Sequence, residues 1–125
     1  MNRQALPLNG LLAAVAACCL TLAAPQAAMA RAAEVYTPAL SNLALRGYDP
    51  VSYFDTGRPV KGETRFHLTW KGAEFRFATA EHLARFKANP AAFAPQYGGY
   101  CAWAIADGHL ASGDPLIWRL VGGKL

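Results

Sequence analysis

Residues 64 to 90 constrain the fold most. Thr64-Arg65-Phe66-His67-Leu68-Thr69-Trp70 alternates, with Phe66, Leu68 and Trp70 on one face and Arg65, His67 and Thr69 on the other. Lys71-Gly72 supplies a turn, and Glu74-Phe75-Arg76-Phe77 alternates again with Phe75 and Phe77 inward. The period then changes from two to that of a helix. Thr79 stands as N-cap to an amphipathic helix from Ala80 to about Ala88, whose apolar side carries Leu83 and Phe86. Asn89-Pro90 stops it, because proline disfavours helical backbone at the residue before it. Pro90 suits the first turn of a second short helix, Pro90 to Ala94. A hairpin running into a helix predicts a compact α+β domain, with a small antiparallel sheet and one main helix packed on it.

The flanks read less regularly. Gly47-Tyr48-Asp49-Pro50 is a turn, Val51 to Phe54 suits a short strand, and Asp55 to Pro59 is a loop. Gly98-Gly99 breaks the chain before Tyr100, and Asp107-Gly108 is a further turn. Leu116 to Val121 reads as a last strand, with Gly122-Gly123 opening a turn. A strand and turn of this kind should lead into a partner strand, so the sequence reads as truncated at Leu125. The alternative is a last strand left as an edge.

The N-terminal 30 residues read as a cleavable signal peptide. Arg3 gives a weak positive start, Leu11 to Ala24 is continuously apolar, and Ala28-Met29-Ala30 is a small-x-small cleavage site. The apolar run is short for a membrane span. Val15-Ala16-Ala17-Cys18 also resembles a degenerate lipobox, but the residues after Cys18 stay apolar, which fits a continuing signal core better. The mature chain then starts at Arg31, with a flexible lead-in over 31–46 and a single domain over 47–125, in a periplasmic or secreted setting. Arg3 is the only charged residue removed, so eleven Lys and Arg face eight Asp and Glu, a formal +3. The basic residues are scattered and form no stripe, which argues against a nucleic-acid partner. No stable membrane span is expected in the mature chain.

Cleavage also removes Cys18 and Cys19 and leaves Cys101 as the one thiol of the domain. An odd cysteine in an exported protein has no internal disulfide partner. It sits in Gln96-Tyr97-Gly98-Gly99-Tyr100-Cys101-Ala102-Trp103, between two adjacent glycines and several aromatic residues. A thiolate there would serve as a soft metal ligand or as a redox nucleophile. The alternative is a small buried hydrophobe, which free cysteine often is. A small aromatic pocket around Cys101, with Asp49 and Tyr100 supplying polar groups, is the sharper form of the functional reading.

Three blocks together resemble the YHS domain family, most closely its exported bacterial branch, some members of which carry selenocysteine. They are Gly47 to Phe54, Trp70 to His82 running on to Phe86 and Pro90, and Ala94 to Trp103 followed by Asp114-Pro115 and Trp118. The resemblance implies association with soft metals, and the selenocysteine branch implies redox chemistry near the Cys101 segment. Metal-type members carry one cysteine in the Asp-Pro-Val-Cys turn and two at the helix start. The matching positions here are Ser52, Ala78 and His82. Two of the three soft ligands are therefore absent, and the third is an imidazole.

Three histidines remain, His67, His82 and His109. A Cys and His set suits copper or zinc, and needs three or four converging donors. Cys101, His82 and His109 are the candidate ligands, while His67 falls on the polar face of its strand. The sequence contains no Ser-His-Asp motif, phosphate loop or paired-carboxylate signature. Three functional readings follow: soft-metal handling centred on Cys101, thiol redox work by Cys101 with an external thiol partner protein, or a non-catalytic interaction domain with an inert, buried Cys101.

Overall fold

The computed structural model describes residues 31–125. The signal-peptide reading, and Cys18 and Cys19 with it, lies outside the described residues. In chain order there is a 3-10 turn at Ala44–Gly47, then α1 Ser52–Asp55, β1 Glu63–Trp70 and β2 Ala73–Phe77. Three helices follow: α2 Ala80–Ala88, α3 Pro90–Phe93 and α4 Ala102–Ala106. The expected mixture of a small antiparallel sheet and helices is what forms.

β1 and β2 pair antiparallel around a two-residue turn, with Trp70 opposite Ala73 and Leu68 opposite Phe75. Lys71 and Gly72 both have positive φ, 48° and 77°. That is the turn geometry whose twist matches a right-handed hairpin. β1 bulges between Glu63 and His67, opposite Phe77 and Arg76. The inward side chains of β2, Ala73, Phe75 and Phe77, are fully buried.

α2 closes over this face. Its start is fixed by Thr79, whose hydroxyl accepts a hydrogen bond from the His82 backbone N–H. Phe86 is completely buried and meets Phe75 at 4.8 Å and Phe77 at 5.1 Å between ring centroids, with Trp70 edge-on at 6.0 Å. Burying one such ring is worth about 2–3 kcal/mol.

Three expectations are corrected. Residues 31–46 are part of the packed domain: Val35 and Ala44 are core residues, and Glu74 N–H donates to Asn42 O at 2.7 Å beside a parallel bridge from Leu43. Val51–Phe54 is not a strand, because Asp49 organises a helical turn there. Asp49 Oδ1 accepts from Val51 N–H at 2.8 Å, Ser52 Oγ donates to Asp49 O at 2.7 Å, and α1 follows. Leu116–Val121 forms no strand either. Asp114-Pro115 folds the chain into a turn, with Ile117 N–H bonded to Asp114 O and Leu116 N–H bonded to Asp114 Oδ1. Among the described residues it has no ladder partner beyond the Val121–Lys124 bridge around Gly122-Gly123.

Candidate functional site

Gly98 and Gly99 both adopt left-handed backbone, at φ 65° and 89°. They turn the chain so that Tyr100 pairs with Ser112, Cys101 N–H donates to Ala111 O at 2.9 Å, and Gly113 N–H donates to Gly99 O. Cys101 stands as the residue before α4, half-buried and free. Its side chain is therefore neither sealed in the core nor loose on the surface.

Cys101 lines a cavity of about 670 Å³. Tyr36, Tyr53, Tyr100 and Trp118 supply much of the wall, with Tyr97 and Trp103 beside the thiol segment. These rings are held by packing and by hydrogen bonds. Tyr36 and Tyr100 meet edge-on at 5.4 Å, and Tyr53 and Trp118 at 5.1 Å. Tyr100 Oη donates to Ala33 O at 2.9 Å, and the buried Tyr53 Oη donates to Pro115 O at 2.8 Å. Burial pushes the Tyr53 hydroxyl pKa well above the ordinary tyrosine value, and Tyr48, Asp114 and Asp49 add to the shift. The tyrosine thus stays a donor at any physiological pH.

Leu45 and Arg46 line the same cavity. Both are held at left-handed backbone, φ 51° and 50°, which costs a non-glycine residue roughly 1–2 kcal/mol. The arrangement delivers Arg46 Nη2 to Ser112 Oγ at 3.1 Å. Strained backbone concentrates at working sites more than elsewhere.

The expected aromatic pocket around Cys101 is present, and Tyr100 belongs to it. Asp49 does not. Asp49 is completely buried outside the cavity wall, where Oδ1 accepts from Val51 N–H and Oδ2 accepts from Ala78 N–H at 2.9 Å. His82 Nδ1 reaches the same Oδ2 at 2.5 Å, and its Nε2 reaches Asp55 Oδ2 at 3.0 Å. Arg85 Nη1 donates to Asp55 Oδ1 at 2.6 Å and holds the Asp55 carboxyl below its usual range, opposed by some desolvation and helped by His82.

The candidate metal ligands are therefore not brought together. His82 spends both ring nitrogens on carboxylates and is not among the residues lining the cavity. His109 is exposed, faces Asp107 at 3.5 Å, and lies edge-on to Trp103 at 6.3 Å. Among the described residues, no three His, Cys, Asp or Glu side chains are grouped to hold a metal ion. His67 is exposed, as its place on the strand predicts.

Sequence reasoning missed Tyr36, Arg46, Ser112 and Arg119 as cavity residues. Nothing local marks them, since they arrive from distant segments. Asp114-Pro115 was visible as a pair, but its place in the cavity wall was not.

Set against protein-family models, curated proteins and solved structures, the chain matches none. Among the described residues, no helix is long and apolar enough to cross a membrane.

Proposed function

We propose that this is an exported domain of the YHS type whose working group is the Cys101 thiol, acting by thiol–disulfide exchange with an external thiol partner. The observation that carries this reading is the position of Cys101: free, half-buried and open to a cavity large enough for a substrate group. The Cys101 thiolate attacks one sulfur of a partner disulfide. A Cys101–partner S–S bond forms, the partner's own S–S bond breaks, and its second sulfur leaves as thiolate. Residues 31–125 hold no second cysteine to resolve this mixed disulfide. An outside thiolate therefore attacks the partner sulfur and releases Cys101 as thiolate.

Soft-metal handling by Cys101, His82 and His109 is less well supported, because copper or zinc needs converging donors and these three lie apart. An inert interaction domain is less well supported because Cys101 is not sealed into the core.

The test is to treat the native protein with glutathione disulfide and follow the adduct by intact-mass spectrometry, with Cys101→Ser and metal analysis alongside. A single adduct forming in the folded state, absent from Cys101→Ser, is expected. One copper or zinc per chain that disappears in Cys101→Ser would restore the metal reading. A thiol that reacts only after unfolding would leave the interaction domain.

A further inference from the structure

The charge of the cavity wall has no part in the thiol chemistry above. Arg46, Arg119 and Lys124 line the cavity, against a single acidic side chain, Asp114. Asp114 is partly occupied, since its Oδ1 accepts from Leu116 N–H at 2.9 Å. Among the described residues, none of the three cations has a carboxylate within ion-pair distance, as is also true of Arg31, Arg58, Lys61 and Lys87 outside the cavity. Arg46 donates to Ser112 Oγ and Lys124 reaches Ala91 O at 3.5 Å, both neutral partners. The rest of the wall is mostly aromatic and aliphatic, and Trp103 and Ile117 stand 73% and 82% exposed. An apolar wall with a few unmatched cations selects a ligand with an apolar body and one anionic end. A guanidinium pairs a carboxylate more strongly than it pairs a neutral oxygen.

We propose that this cavity binds a small aromatic or aliphatic carboxylic acid, its body against the tyrosine and tryptophan rings and its carboxylate on Arg46 and Arg119. The backbone strain at Leu45 and Arg46 fits this role, because it places a guanidinium at the cavity wall beside Ser112. The inference goes beyond the proposed function by naming a ligand class for the cavity that Cys101 lines.

The experiment is isothermal titration of the full chain with 2-naphthylacetate and with its neutral counterpart 2-(2-naphthyl)ethanol. The acid is expected to bind one per chain and about threefold to fivefold more tightly than the alcohol, since Arg46 and Arg119 are exposed and solvent weakens the pair. The double variant Arg46→Gln/Arg119→Gln should lose that preference, and Arg58→Gln, an exposed arginine outside the cavity wall, should keep it. Equal affinity for acid and alcohol in the unaltered protein overturns the proposal, whatever the variant does. So does an absence of acid binding, or a preference that survives the double substitution. A thiol inert to glutathione disulfide beside intact acid binding would defeat the redox reading alone. A reactive thiol with no acid binding would defeat the ligand class alone.

Discussion

His82 Nδ1 lies 2.5 Å from Oδ2 of Asp49, a carboxylate with no exposure to solvent. Its other ring nitrogen, Nε2, lies 3.0 Å from Oδ2 of Asp55, so the ring is held between two carboxylates. The pair ties the start of α2 to the turn that starts α1. His82 is thereby a clamp between elements, which accounts for its burial without a metal.

Asp49 receives hydrogen bonds from Val51 N–H, Ala78 N–H and His82. Asp49→Ala leaves these buried donors without an acceptor, and is expected to cost about 3–5 kcal/mol in urea unfolding. Glu63→Gln, which breaks an exposed pair with Arg65, should cost under about 1 kcal/mol. Similar losses in the two variants would show that the buried network contributes little.

Asp55 gives the acid dependence. Its carboxyl pKa in the folded protein lies below the ordinary value, chiefly through Arg85. The unfolded chain therefore binds its proton first as pH falls, and the native state loses stability through the carboxylate range. The gap in thermal midpoint between the native sequence and Asp55→Asn should be steady above about pH 5 and close towards pH 2, near and below the unfolded value. Because Asp55 is partly exposed, added salt should narrow the gap at neutral pH. A gap unchanged down to pH 2 would rule out this source.

Tyr53 gives the alkaline dependence. Its folded pKa is raised, so above about pH 10 the unfolded chain ionises while the folded one does not, and stability falls as pH rises. Ultraviolet titration should find one of the five tyrosines un-ionised until the protein unfolds. Tyr53→Phe should remove that late titration and cost about 1 kcal/mol at neutral pH for the lost bond to Pro115 O.

Gly98 is a position where a methyl group has no room. A Cβ there would stand 1.9 Å from Glu34 O, on a left-handed backbone at φ 65°. Gly98→Ala must displace the 34–36 segment and the Tyr36 N–H bond to Gly98 O. It should cost about 3 kcal/mol or more in unfolding experiments. Gly57 has the same φ but open space around a Cβ, so Gly57→Ala should cost only about 1–2 kcal/mol. Equal costs would mean that the close approach to Glu34 is easily relieved.

The parts of the fold legible in the sequence are those set by neighbours. The alternation of 64–70 and 74–77, the Lys71-Gly72 turn, the Thr79 cap and the Pro90 stop each act within a few residues, and each forms as read. Val51–Phe54 misled because its apolar composition outweighed the hydrogen bonds that Asp49 makes to Val51 and Ser52. Leu116–Val121 misled because β propensity without a partner strand does not make a ladder. Cys101 was legible as the residue to watch, while its half-buried state was not, since that depends on what packs against residues 98–101.

The hairpin, the helix that follows it and the single thiol among residues 31–125 can be read from the residues in order, because periodicity, capping and residue identity are local quantities. That His82 faces Asp49 and Asp55, and that Cys101 faces a cavity, follows from how distant segments pack. The contacts behind that cavity join residues far apart in the chain: Arg46 with Ser112, Tyr53 with Pro115, and Tyr100 with Ala33, separated by 66, 62 and 67 positions. Such pairings are selected by the packing of the whole chain, and no local pattern of residues encodes them.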